Sequence, residues 1–386
     1  MVRVKVFVSH PIPYFVALWR ELAKFESIDL TVIFFSKEGV SPSFNSQFNQ
    51  VMSWDLNLLS GYSYRFVDDV PHAQIKSTGL GSADQYIDPT LTDVVMIHGY
   101  SDLYARQAVR VARKRGIKTY MRGPVCGKTK LGRGFLKKVI RDLYLRFFFL
   151  NKFDGVFYIG KSSYTELRRL GVDDARLHYS PYTVDTDNFS QQHLSAEDRI
   201  LVRSQLGIAQ GAIVILMVGV FSKRKNHDVV LRSLIPFVGS NVFHLVFVGE
   251  GPNKNDIVKK ARDFGLDFVS FVGFVNQSKL GQYYSAADIF VFPSFYDSWG
   301  LVLNEAVMFG LPVVVSKNVA SSDDLVIGGG NGFVFDPDDS SALTEALAKL
   351  RCPDRRKRMG ALSSSIARGY RTELAAQSIA RILNGL

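Results

Sequence analysis

The feature that most constrains this chain is a grammar, written twice, in which short β-rich apolar runs alternate with amphipathic stretches. In the first half the runs are Val4 to Ser9, Leu30 to Phe35, Val94 to His98, Ile117 to Met121 and Val156 to Ile159. Between several of them, notably over Tyr14 to Phe25 and Leu103 to Lys114, apolar residues recur three and four apart, which is the helical period. Strand and helix in alternation imply parallel sheet, because a parallel connection needs a crossover element. The grammar restarts after a polar, turn-rich stretch from Asp185 to Glu197, with runs at Ile213 to Val218, Phe243 to Val248, Phe268 to Val272, Ile289 to Phe292 and Val313 to Val315. Helices over Val229 to Ile235 and Ile257 to Phe264 fill two of the gaps. The reading is α/β, with two doubly wound units joined near residue 190. No short repeat or low-complexity tract is present, which excludes solenoids and disordered arrays.

Length agrees, since 386 residues at roughly 150 per domain give two domains. With 47% apolar and 22% charged residues the chain can build large cores and is not a disordered polymer. Two cysteines, Cys126 and Cys352, exclude a disulfide framework and a CxxC metal knuckle, and a reducing compartment is expected. The opening MVRVKVFVSHPIPYF is unlike a secretory signal. No apolar run approaches the roughly 18 residues a membrane span requires. A chain that is soluble or rests on a surface is expected, in the cytoplasm and peripheral to the membrane at most.

The stretch DIFVFPSFYDSWGLVLNEAVMFGLPVVVS, Asp288 to Ser316, carries the most chemistry. A buried strand ends at Pro293-Ser294, a loop carries Asp297, Gly300 opens a helix, and Gly310 stops it before Pro312. Free N–H groups at Gly300, Leu301 and Val302, with the helix dipole, favour an anion such as a diphosphate. Glu305, one turn inside, can present oxygens to sugar hydroxyls. The bland alternative is that Asp297 merely caps the helix and Glu305 is solvated.

This stretch resembles the E-x7-E segment of family 4 glycosyltransferases of the GT-B fold, of the bacterial polysaccharide or glycoconjugate type. Asp297 stands at the first Glu and Glu305 at the second, amid matching Pro293-Ser294, Gly300-Leu301-Val302, Glu305-Ala306 and Gly310-Leu311-Pro312-Val313. Val218-Gly219-Val220-Phe221-Ser222-Lys223-Arg224-Lys225-Asn226 resembles the family's phosphate loop, with Lys225 at the lysine that contacts the donor diphosphate. Val220 replaces the usual arginine, so one of two cations is missing unless Lys223 or Arg224 compensates through a different bend. Gly249-Glu250-Gly251-Pro252 resembles the turn beside the nucleotide, and Val272-Gly273-Phe274 the stretch whose backbone pairs with the base edge.

In the first half, His10-Pro11-Ile12-Pro13-Tyr14 resembles the opening of a bacterial subgroup. His98 and Arg122, at strand ends, lie near family histidine positions and are expected as substrate contacts. Pro181-Tyr182-Thr183-Val184-Asp185 with Phe189 resembles the signature before the linker, and Gly332-Phe333-Val334 with Asp336-Pro337 a family turn. The resemblance implies two Rossmann-like domains facing a cleft: an acceptor-binding one over residues 1–190, a nucleotide-sugar-binding one over 191–366, and a last helix, near Ala367 to Leu383, returning to the first domain.

It implies further a retaining transfer from a nucleoside-diphosphate sugar, UDP- or GDP-linked, to a hydroxyl of a glycan, glycolipid or small acceptor. The catalytic set is Lys225, Asp297, Glu305, His98 and Arg122. The donor contacts are Gly219, Lys225, Gly249, Gly251, Val272, Phe274, Asp297, Gly300, Leu301, Val302 and Glu305. No cofactor is expected. Asp185-Thr186-Asp187 spells the D-x-D of metal-dependent transferases, but falls in the linker signature, and no metal is expected.

The net charge of +11 is concentrated: Leu103 to Lys152 holds fifteen Lys and Arg against one acid, Asp142. Within it, GKTKLGRGFLKKVIRDLYLRFFFLNK, residues 127–152, interleaves basic and apolar residues and could lie on an anionic membrane with Leu136, Leu143 and Phe147 turned into it. An ordinary amphipathic helix packed on the sheet is the alternative. Nucleic acid is not expected, since no zinc spacing, RNP pattern or helix-turn-helix signature accompanies the charge. Two rivals to the enzyme remain: a GT-B protein that binds nucleotide sugar without transferring it, and a basic membrane-peripheral binding protein.

Overall fold

The computed structural model of the chain describes residues 1–45, 48, 50–67, 85–99, 102–127 and 135–385. Strands β1 (Val2–Val8), β2 (Ile28–Phe34), β3 (Ser43–Asn45), β4 (Gln50–Met52), β5 (Ser63–Phe66), β6 (Val94–His98), β7 (Lys118–Arg122), β8 (Gly155–Tyr158) and β9 (Leu177–Tyr179) belong to the first half. The second half holds β10 (Ile213–Val218), β11 (Phe243–Val248), β12 (Val269–Gly273), β13 (Ile289–Phe292), β14 (Val313–Ser316) and β15 (Gly332–Phe335). Apart from the β3-β4 hairpin they form a seven-stranded sheet, ordered β5-β2-β1-β6-β7-β8-β9, and a six-stranded one, ordered β12-β11-β10-β13-β14-β15. Every pairing within these two sheets is parallel.

The central strands of the second sheet explain the unbroken apolar runs. Every residue of β10, β11, β13 and β14 is buried, because helices cover both faces. In each sheet the order reverses beside the first strand, between β1 and β6 and between β10 and β13, and the loops leaving the strand ends there open towards the other domain. The short edge strands β5, β9 and β15 were not legible as strands; the Gly332-Phe333-Val334 segment, expected as a turn, is paired with β14. It contributes only four residues at a sheet edge, too few to show a period.

The last helix differs from expectation. It runs over Thr372–Asn384, starting five residues later than expected, and is preceded by a further helix, Pro353–Ala367, joined to it by the turn Arg368–Tyr370. The helix Pro353–Ala367 packs on the helix Val302–Met308 of the second domain. The last helix buries Ala375, Ala376, Ile379 and Leu383 in the first domain's core beside Trp19, Leu22 and Val4. The fold therefore passes between domains twice, at residues 180–195 and 368–372, and the two crossings touch where Thr372 Oγ1 donates to the Val184 carbonyl at 2.9 Å. Asp185 caps the short helix Thr186–Ser190 by accepting the Asn188 N–H, which gives the D-x-D aspartate a structural task.

Ile379 is fully buried, so Ile379→Ala should cost about 2–5 kcal/mol of stability through the cavity it leaves. Denaturant unfolding with unchanged stability would show that this helix does not seal the first domain.

Candidate active site

The site is built where β10, β11 and β13 end. Gly249, leaving β11 with φ +147, crosses β10's exit so closely that a Cβ there would stand 2.0 Å from the Gly219 carbonyl oxygen. This approach, which only glycine permits, brings the two strand-end loops together. Gly219 itself lies against the aliphatic part of Lys225, and Gly251 against the Phe221 backbone. Lys223–Lys225 form a single tight turn, after which Asn226, in the left-handed conformation, donates to the carbonyls of Pro293 and Pro337 and pins the loop to β13's exit.

The turn delivers two cations to one carboxylate. Asp297 Oδ2 accepts from Lys225 Nζ at 2.9 Å and from Arg224 at 2.7 Å, while Oδ1 accepts the Trp299 N–H at 3.4 Å. Backbone bonds on either side of Asp297, from its own N–H to Asn318 and to its carbonyl from Ala320, fix the loop that carries it. Burial pushes the Asp297 carboxyl up, but Lys225 and Arg224 together outweigh burial and hold it at about 2. Lys225 is almost wholly buried, which lowers its own pKa; Asp297 offsets this in part, and its ammonium also sits 4.6 Å over the Phe292 ring. Arg224, a third exposed, is the second cation. Arg224 lies four residues after Val220, the position where the resemblance expects an arginine, and its guanidinium meets the same carboxylate as Lys225.

Gly300, with φ +86, turns beneath Phe292, whose ring stands 2.2 Å from where a Cβ would be. The helix Val302–Met308 follows, and its ladder begins with Leu303 donating to Gly300 and Glu305 to Leu301. The N–H groups of Gly300, Leu301 and Val302 precede that ladder, as anion recognition at a helix start requires. Gly310, at φ +68, ends the helix.

Glu305 does not present free oxygens. It is fully buried; Oε1 accepts the Tyr14 hydroxyl at 2.7 Å and Oε2 the Tyr284 hydroxyl at 2.6 Å. Gln277 Nε2 donates in turn to the Tyr14 oxygen at 2.9 Å. Burial pushes the Glu305 carboxyl up to about 7, against the pull of these donors. Tyr14 belongs to the first domain, so this is a bond across the cleft. Neither tyrosine was singled out in the sequence for this role, although Tyr14 closes the His10–Tyr14 opening motif.

At the end of β12, the Gly273 carbonyl accepts the Gly249 N–H. The Phe274 ring meets Phe48 and Trp54 of the first domain, with ring centres 5.2 and 6.1 Å apart. Val272 lies on the strand just before, packed at the margin of the second core.

The two first-domain candidates are register partners on neighbouring strands, and both are held by residues at the start of the linker. Arg122 is 1% exposed and donates to Ser180 Oγ and to the carbonyls of Ser180 and Pro181, with its guanidinium 4.8 Å over the Tyr182 ring. Burial pulls its pKa down to about 10, so it stays a cation. It holds the start of the linker, and its Nη1 is buried without a partner among the described residues. The sequence could not foresee this, because its partners are backbone carbonyls some sixty residues away. His98 is half-buried, bonded to the Tyr182 hydroxyl at 2.9 Å and packed on Phe15; burial, with Arg122 nearby, keeps its imidazole neutral. Tyr182 in turn stands edge-on to Trp299, and its carbonyl accepts from Asn304, so the strand ends of the first domain are wired to the helix that carries Glu305.

Comparison with known proteins bears on the second domain and on the fold. Residues 198–363 match the family model described as glycosyl transferases group 1, and the second domain belongs to that family. The chain as a whole has the GT-B fold. It superposes over 99% of its length on sucrose-phosphate synthase from Thermosynechococcus elongatus (98% of that chain, TM-score 0.72, 18% identity). It superposes over its full length on Anabaena HepE in complex with UDP-glucose (100% of that chain, TM-score 0.72, 18% identity). Among curated relatives it is 30% identical over 222 residues to the D-inositol 3-phosphate glycosyltransferase of Xylanimonas cellulosilytica, covering 55% of this chain and 52% of that one. It is 30% identical over 140 residues to the alpha-monoglucosyldiacylglycerol synthase of Streptococcus pneumoniae, covering 36% and 32%. The chain spans about a third to a half of the length of the curated relatives it matches.

The two buried carboxylates should give opposite pH signatures. Asp297, held low, stabilises the fold above its ordinary pKa near 4, and that contribution is lost as pH falls towards 2. Glu305, held high, binds its proton more tightly in the folded state, so stability falls as pH rises from about 4.5 to about 7. Melting curves from pH 3 to 8 should show Glu305→Gln flattening the upper slope. Asp297→Asn, which strands two cations, should cost about 3–5 kcal/mol at neutral pH. An unaltered upper slope in the Glu305 variant would refute the assignment.

Proposed function

We propose that this chain is a retaining glycosyltransferase that takes a sugar from a nucleoside-diphosphate donor held by the second domain and delivers it to an acceptor hydroxyl on the first. The observation that carries the reading is the gathering of Lys225 and Arg224 beside Asp297, at the helix start Gly300 to Val302. Breaking the bond between sugar and diphosphate builds negative charge on the leaving phosphate, and two cations with preorganised N–H groups stabilise it. Asp297 keeps Lys225 charged and placed until the phosphate competes for it. A carboxylate so committed binds donor-sugar hydroxyls through its Oδ1 face, and Glu305 takes the ribose. The leaving phosphate acts as base on the acceptor hydroxyl, and the cleft contributes position and charge.

Because the protein supplies two cations itself, no metal is needed. A uridine nucleotide is the favoured donor among the UDP- and GDP-linked candidates, supported by the UDP-glucose complex of the HepE neighbour. Lys225→Ala and Arg224→Ala should each lower kcat by roughly 10²–10³-fold, the scale of removing one transition-state donor, with melting temperature nearly kept for the more exposed Arg224. Turnover should resist EDTA. Full activity of both variants, or loss on chelation, would overturn the charge assignment.

The acceptor is a glycan or glycolipid met at an anionic membrane surface on the cytoplasmic side. Ile140, Leu143, Phe147 and Phe148 are 58%, 49%, 56% and 65% exposed, beside exposed Lys138 and Arg146. A π-helical turn over Tyr144–Phe149 leaves neighbouring Phe147 and Phe148 both outward while Leu145 and Phe149 fill the first core. Leu136, also expected on this face, has its side chain outside the described residues, as do residues 128–134. No helix among the described residues is long and apolar enough to cross a membrane. Cosedimentation with phosphatidylglycerol vesicles should be lost in Phe147→Ser/Phe148→Ser; binding that survives would remove this surface from the proposal.

A further inference from the structure

The first domain touches the nucleoside half of the second-domain site and leaves the phosphate half to bonds within the second domain. Tyr14 reaches Glu305, Phe48 and Trp54 reach Phe274, the Ser53 carbonyl accepts from Asn276, and Asp55 accepts from Ser278. Lys225 and Arg224 find their carboxylate in Asp297, on their own domain. Glu305 is fully buried in this closed arrangement, so a ribose hydroxyl reaches its oxygens only if one of the two tyrosines that cover them moves aside. Tyr284 and Gln277 share the helix Gln277–Ala286 with no boundary between them and Glu305's domain, whereas Tyr14 sits in the first turn of the helix Pro13–Ala23 across the cleft. Separation of the domains removes Tyr14 alone.

We propose that Tyr14 is a place-holder for the donor: its hydroxyl occupies the position on Glu305 Oε1 that a ribose hydroxyl takes when the domains part, so that nucleotide entry and release of this interdomain bond are one exchange. The proposal rests on the reading of Glu305 as the ribose contact. The chemistry of the exchange is balanced, since a neutral O–H donor replaces a neutral O–H donor on the same oxygen. A buried carboxylate oxygen left bare would be costly, so the open arrangement without Tyr14 favours a diol at that point. Burial pushes the Glu305 carboxyl up, and the hydrogen bonds from Tyr284 and Tyr14 pull it back down. The titratable groups packed against it are these two phenols, with the Gln277 amide as a neutral neighbour.

The test is calorimetric titration of the full chain with UDP, GDP, ADP and dTDP, in the wild type, Tyr14→Phe and Tyr284→Phe. Removing the competing hydroxyl should tighten binding of the recognised nucleotide on the order of tenfold in Tyr14→Phe, the size of one hydrogen bond to a charged group. Tyr284→Phe, altered on the donor's own side, should show no such gain. For the dideoxyribose form of the same nucleotide the gain in Tyr14→Phe should vanish, because the hydroxyls that compete for Glu305 are gone. Equal or weaker binding by Tyr14→Phe, or a gain that persists with the dideoxy form, overturns the place-holder while leaving the donor site intact. Failure of all four nucleotides to bind both the wild type and Tyr14→Phe overturns the donor site itself, and the place-holder with it.

Discussion

The rest of the cleft depends on one buried electrostatic knot, Asp297 with Lys225 and Arg224. A lysine with so little solvent exposure loses most of its hydration, and without a carboxylate at 2.9 Å it would shed its proton or swing out. The knot also ties two loops: the turn after β10 to the loop after β13. Asn226 on the first and the backbone of Asp297 on the second reinforce the tie. The N–H groups at Gly300 to Val302 are consequently aimed by the same geometry that holds the cations, so charge and direction come as a unit.

Much of this was legible before any coordinates. Fully buried parallel strands leave continuous apolar runs, and the limits of β10, β11 and β13 coincide with the runs read from the chain. Gly249 and Gly300 mark places where backbone must approach backbone or ring, and such demands leave glycine as a visible trace. The knot was half visible. Lys225 and Asp297 stand out by position, but Arg224 could be enlisted only by knowing how a three-residue turn bends.

What sequence could not deliver is everything that depends on which residues meet across the cleft. Arg122 looks like a strand-end functional cation, and only the folded chain reveals that carbonyls at Ser180 and Pro181 take its Nη2 while Nη1 is left buried without a partner among the described residues. Glu305 reads as a carboxylate presented to sugar hydroxyls from a helix; Tyr14, 291 positions away, covers it together with Tyr284. Contacts of this range carry no local period or motif. The same is true of Asp324, which accepts the Lys161 N–H at the start of a first-domain helix from the opposite side of the seam. Trp299 likewise fills the space above Gly160, where a Cβ would stand 2.4 Å from its ring.

The double passage of the chain between the halves has a mechanical meaning. A single tether would let one lobe swivel in any direction, as a ball joint does. Two neighbouring tethers, stapled to each other by Thr372 and Val184, behave as the two knuckles of a door hinge and suppress torsion about the long axis. Tyr182, at the start of the first tether, packs edge-on against Trp299, with ring centres 6.1 Å apart. Any opening of the gap parts the facing rings of Trp54 and Phe274, whose centres lie 6.1 Å apart.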